Sequence, residues 1–68
     1  MLEETTYYVE VLLQTAPDDC EWEYDKEFPP DGEAYNKAVE YAKGLKVPAR
    51  VVHYVEGGVM VDKRFDND

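Results

Sequence analysis

The chain alternates first and changes period later. From Thr5 to Gln14 the run TTYYVEVLLQ is β-branched, aromatic and aliphatic, the composition of a pleated strand. One parity carries Tyr7, Val9, Val11 and Leu13, and the other carries Thr6, Tyr8, Glu10, Leu12 and Gln14. Ala16-Pro17-Asp18-Asp19 then supplies turn chemistry, because proline presets φ and aspartate side chains bond back to nearby backbone. Beyond it Cys20, Trp22, Tyr24 and Phe28 share one parity while Glu21, Glu23, Asp25 and Glu27 share the other. A period of two predicts a second strand, aromatics inward and acids outward, paired with the first as an antiparallel hairpin.

Pro29-Pro30 ends that strand, and Asp31 is placed as an N-cap for a helix from about Gly32 to Lys43. Ala34, Tyr35, Ala38, Val39, Tyr41, Ala42 and Leu45 recur at helical spacing as its buried stripe. Glu33 and Lys37 are ordered as an i,i+4 pair. Gly44 fits the C′ position and Pro48 bars continuation. Two further strands, Ala49–Val55 and Val59–Phe65, flank Gly57-Gly58, which suits a tight type I′ turn. With that loop Val55 would face Met60, Tyr54 Val61, His53 Asp62 and Val52 Lys63. Residues 66–68 read as a frayed polar tail.

The expected architecture is one α+β domain over residues 1–68, ordered β-β-α-β-β: a four-stranded antiparallel sheet with one helix on one face. The assignment puts Val9, Val11, Trp22, Tyr24, Val52, Tyr54, Val59 and Val61 against the helix. The opposite face would show Tyr8, Leu12, Val51, Val55 and Met60 among charges, a patch suited to a homodimer interface.

Composition narrows the options. A chain of 68 residues with one cysteine forms no internal disulfide, and its one histidine argues against a zinc site. A hydrophobic share of 44% supports a folded core, and no apolar run reaches the length of a membrane span. The N-terminal Met-Leu-Glu-Glu-Thr-Thr has no signal-peptide pattern, and the lone cysteine suits a reducing compartment, so a cytoplasmic location is expected. Net charge −9 repels nucleic acid and anionic membrane and attracts basic surfaces.

Candidate chemistry is thin. Cys20 is assigned to the core, where a thiol is inert, and the chain has no serine. His53 opposite Asp62 reads as a surface ion pair. The aspartate pairs match no calcium loop, and no glycine-rich phosphate loop lies between strand and helix. The expectation is a non-enzymatic protein without cofactor or metal.

The acids are the remaining feature. Eight of sixteen lie between Asp18 and Glu33, with Lys26 as the only base among them. On the outward parity Glu21, Glu23 and Asp25 would repeat every ~6.5–7 Å, twice the strand rise, a spacing comparable to successive nucleic-acid phosphates. With Asp18, Asp19, Glu27 and Asp31 in support, this line is the candidate partner site. Its partner would be a basic protein surface, one that itself holds nucleic acid.

Two resemblances attach to these residues. Tyr7-Tyr8-Val9-Glu10-Val11, the Glu33-Ala34 helix start, Pro48-Ala49-Arg50-Val51-Val52 and Gly57-Gly58-Val59-Met60-Val61 resemble the first half of a SPOR domain. That family binds denuded peptidoglycan glycan strands, so the resemblance implies a glycan-binding module. The family's second helix has no counterpart here and an acidic strand is added. Size, acidity and element order also resemble small phage-encoded proteins, among them nucleic-acid-mimicking inhibitors such as some anti-CRISPR proteins. That resemblance implies an inhibitor that blocks a basic nucleic-acid-binding surface.

Overall fold

The computed structural model describes residues 5–67. Its elements are β1 (Tyr7–Ala16), β2 (Asp19–Phe28), α1 (Ala34–Lys43), β3 (Ala49–Val55) and β4 (Gly58–Phe65). The strands form one antiparallel sheet in the order β2-β1-β3-β4, and α1 covers one face. The expected fold class holds, with β1 shifted two residues toward the turn.

The core is built from small side chains. Val9 and Val11 of β1 and Ala49 and Val51 of β3 pack under Ala38 and Ala42 of α1. Alanines on the inner face of α1 let its backbone sit close to the sheet. Tyr7, Phe28, Val39, Tyr41, Leu45, Val47 and Phe65 close the rim. The largest fully buried side chains are the valines 9, 51 and 52, while Tyr24, Tyr35 and Tyr54 are exposed.

Both helix ends differ from expectation. Asp31 Oδ1 accepts the Glu33 backbone N–H at 2.9 Å, and α1 begins only at Ala34. Asp31 therefore makes an Asx turn ahead of the helix rather than its cap. Its other oxygen takes Lys37 Nζ, and Glu33 is left to accept from Asn36 Nδ2 at 3.1 Å. Gly44 stays right-handed at φ −87 and does not form the left-handed C′. Asn67, in the stretch expected to fray, donates Nδ2 to the carbonyls of Ala42 and Val47 at 2.9 and 3.0 Å.

Three residues are inserted in the sheet: Thr15 beside the first turn, and two others that decide which side chain lies on which face. Val9 is opposite Lys26 but Glu10 is opposite Tyr24, so Asp25 is extra in β2. Val51 is opposite Lys63 but Val52 is opposite Val61, so Asp62 is extra in β4. One bulged residue reverses the parity of everything beyond it. Phe28 accordingly joins the helix side, whereas Trp22 and Tyr24, opposite Leu12 and Glu10, lie on the uncovered side. On β3, Val51 pairs with core Val9, which sends Val52 and Tyr54 to the uncovered side with Tyr8. Of the eight residues expected against the helix, only Val9 and Val11 are there.

The second hairpin also turns one residue early. Glu56-Gly57 is the two-residue loop, Val55 faces Gly58, Tyr54 faces Val59 and His53 faces Met60. Gly57 has φ 95, and no described non-glycine residue has positive φ, so Glu56 excludes type I′.

Candidate functional site

The first hairpin is longer than anything that supports it. A ten-residue strand spans ~33 Å and a ten-residue helix ~15 Å. β1 pairs with β3 only from Tyr8 to Val11, with one further bond from Leu12 N to the Pro48 carbonyl at 3.0 Å. Leu13 to Ala16 pair with β2 alone, so about 13 Å of two-stranded ribbon projects from the body. The 47 Å long dimension reflects this projection.

That ribbon carries acids. Asp18 and Asp19 lie at its tip and Glu21 along it, while Glu23, opposite core Val11, sits at its base where β3 joins, and all four are exposed. Glu21 and Glu23 share the parity of the helix face, opposite to the expected side, and stay exposed. Among the described residues none of Asp18, Asp19, Glu21, Glu23 and Glu27 forms an ion pair. Cys20 also sits here and is exposed, not buried in the core.

The expected line of charge does not continue past Glu23. Asp25 sits in the bulge and accepts the Tyr41 hydroxyl at 2.5 Å. That bond, then burial, pushes the Tyr41 phenol above its ordinary value. Glu27 points to the uncovered face beside Tyr8. Asp31 is tied to Lys37, whose hydrogen bond, followed by the Glu33 backbone N–H, holds its carboxyl below the usual value.

The uncovered face is the second feature. Tyr24, Tyr8 and Tyr54 run across β2, β1 and β3, with ring centroids 6.2 Å and 4.8 Å apart. Next to this row Trp22 lies under the Arg50 guanidinium at 4.3 Å and the Arg64 guanidinium at 5.4 Å. Arg50 Nε and Nη2 both reach Glu10 Oε1 at 2.7 Å. Val52 is completely covered, while Tyr24, Tyr54, Val59 and Val61 remain exposed. Arg50 pairs with Glu10 and Arg64 with Asp66, so Glu27 is left as the acid of this face without an ion pair among the described residues.

The expected dimer patch is split between the faces. Tyr8 and Leu12 lie on the uncovered side, Val51 is fully buried under α1, and Val55 and Met60 follow the helix-side parity of His53. Trp22, Tyr24, Tyr54 and Arg50 are the residues that sequence reasoning misplaced or passed over. The available signal was arginine two positions before Val52, on the parity of Tyr54. On the helix side, His53 Nδ1 lies 2.6 Å from Asp62 Oδ2, reached through the bulge and not through direct opposition. Tyr7 stacks edgewise between His53 and Tyr35, and burial followed by the Asp62 charge raises its phenol. No three His, Cys, Asp or Glu side chains among the described residues gather into a metal-ligating set, and no described helix is long and apolar enough to cross a membrane. No family model, curated protein or solved structure matches the chain.

Proposed function

We propose that this protein is a non-enzymatic binding module that engages a basic surface of another protein and blocks it, as a charge-mimicking inhibitor of a nucleic-acid-binding site would. The observation that carries this reading is the projecting ribbon with Asp18, Asp19 and Glu21, and Glu23 at its base, none of them ion-paired among the described residues. A two-stranded ribbon is narrow, its strands ~4.8 Å apart, and fits a groove that accommodates a nucleic-acid strand. Charges held away from the body keep their hydration until contact and steer association over about a Debye length, ~8 Å at physiological salt.

The test is charge reversal on the ribbon. Asp19→Lys, Glu21→Lys and Glu23→Lys together change the local charge while sparing Asp25, which holds Tyr41, and Asp31, which holds Lys37. Capture of a protein from the source lysate should be lost with this variant and should fall steeply with salt for the wild type. Capture that survives both reversal and high salt removes the reading.

A further inference from the structure

A second surface on this molecule fits the same class of partner by different chemistry. It rests on the reading of a basic partner just given, and it names the contact that the ribbon's charge leaves open. Tyr24, Tyr8 and Tyr54 form a continuous row of rings across three strands, and the two outer rings are 61% and 59% exposed. Glu27 stands opposite Tyr8 on β2, next to the row and without an ion pair among the described residues. Aromatic faces attract cations through the ring quadrupole, and a nearby carboxylate supplies the charged hydrogen bond that a guanidinium or ammonium also needs. The chain displays the same pairing internally, one row along the sheet: Trp22 carries Arg50, and Arg50 bonds Glu10. There the cation comes from the protein itself. At the tyrosine row the aromatic surface and the carboxylate are present, and no cation–π contact within the chain fills them.

We infer that the Tyr24–Tyr8–Tyr54 row, with Glu27 beside it, is a docking surface for an arginine-bearing segment of a basic protein partner. The occupant is a peptide cation and not a nucleic acid. Base stacking would use the same rings, but it would bring phosphates toward a chain of net charge −9. Arginine is favoured over lysine because its planar guanidinium stacks on a ring while its edge bonds a carboxylate. The outer rings contribute little to the core, so they can be removed without unfolding the domain.

The probes are three short synthetic peptides differing only in arginine, lysine or glutamine, titrated into the full chain at physiological salt. Ring-proton shifts of the tyrosines and calorimetric affinity are the readouts. The arginine peptide should shift the rings of Tyr8, Tyr24 and Tyr54 and bind several-fold tighter than the lysine peptide, with the glutamine peptide weakest. Tyr24→Ala with Tyr54→Ala should weaken arginine-peptide binding at least about tenfold, with unchanged circular dichroism, and Glu27→Gln should weaken it several-fold. Equal binding of arginine and glutamine peptides, or unchanged affinity in the double variant, overturns the inference. So does a single-stranded oligonucleotide that shifts the same rings, or a wild-type dimer that Tyr24→Ala with Tyr54→Ala converts to a monomer. If arginine-peptide affinity instead follows Glu21 and Glu23 and ignores the tyrosines, the docking surface is refuted while the charge-mimic reading survives. If the tyrosine row binds the peptide but ribbon reversal leaves lysate capture intact, the docking surface stands and the ribbon reading fails.

Discussion

Replacing Trp22 by leucine tests the reversal of β2 in quantitative form. If Trp22 lies on the uncovered face, its main partners are guanidinium groups; if it lay under α1, they would be valines and alanines. Arg50 stands 4.3 Å above the ring with a side chain only 20% exposed, and its partner Glu10 is 14% exposed. A cation–π contact so far desolvated contributes up to about 2 kcal/mol. Arg64, at 5.4 Å and 54% exposed, adds about 0.5 kcal/mol. Trp22→Leu, which keeps an apolar body in place, should therefore cost about 2 kcal/mol, or roughly 8–16 °C in Tm for a domain of this size. The decisive number comes from a cycle with Arg50→Met, measured by urea unfolding followed by far-ultraviolet circular dichroism. The Trp22–Arg50 coupling should be about 1.5–2 kcal/mol. A core tryptophan would give a large single-variant loss with no coupling to Arg50. A coupling below about 0.5 kcal/mol would refute the face assignment and the bulge at Asp25 from which it follows.

Val51→Ala should destabilise by about 2 kcal/mol, since it deletes two buried methyl groups at a site with no exposure; Val55→Ala, at 40% exposure, should change the urea midpoint little. Asp31 has a lowered pKa and Lys37 a raised one, so their pair stabilises above the ordinary carboxylate value 3.8 and below the ordinary ammonium value 10.5. The Tm difference between wild type and Lys37→Met should therefore be small, present at neutral pH, and vanish as pH falls through the folded-state pKa of Asp31. Asp25→Ala should bring the Tyr41 phenol back toward 10.0, followed by its ring-proton shifts as pH is raised; an unmoved titration would show that the bond to Asp25 is not what raises it. Gly57→Val should destabilise the second hairpin, because a β-branched residue is strained at φ 95.

What could be read in advance followed from periodicity. Ala34, Ala38 and Ala42 announce the helix face by spacing alone, and Pro17, Pro29-Pro30 and Gly57 mark where strands must stop. Element type and order come from such local preferences, and both held. Side-chain direction within the strands is less local. It depends on register, and Asp25 and Asp62 each insert one residue without any compositional sign of a bulge. Asp25 even keeps the acid–aromatic alternation of Glu21, Trp22, Glu23 and Tyr24, so a regular pattern conceals an irregular backbone. The bulge at Asp25 reverses the expected faces of Trp22, Tyr24, Glu21 and Glu23; Val51 leaves the expected dimer patch for a different reason, its regular pairing with core Val9. The projection of the first hairpin was equally hidden, because it arises from a short pairing between β1 and β3 that no local preference encodes.

The acids of the ribbon and the tyrosine row now make one account, in which charge brings a basic partner close and aromatic rings hold its arginines. The most direct test of the central claim is competition on the captured partner. Immobilised wild type should capture a protein from the source lysate at low salt, release it to added duplex DNA or RNA, and capture nothing when Asp19, Glu21 and Glu23 are lysines. A partner that nucleic acid fails to displace, and that the reversed ribbon still holds, would contradict it.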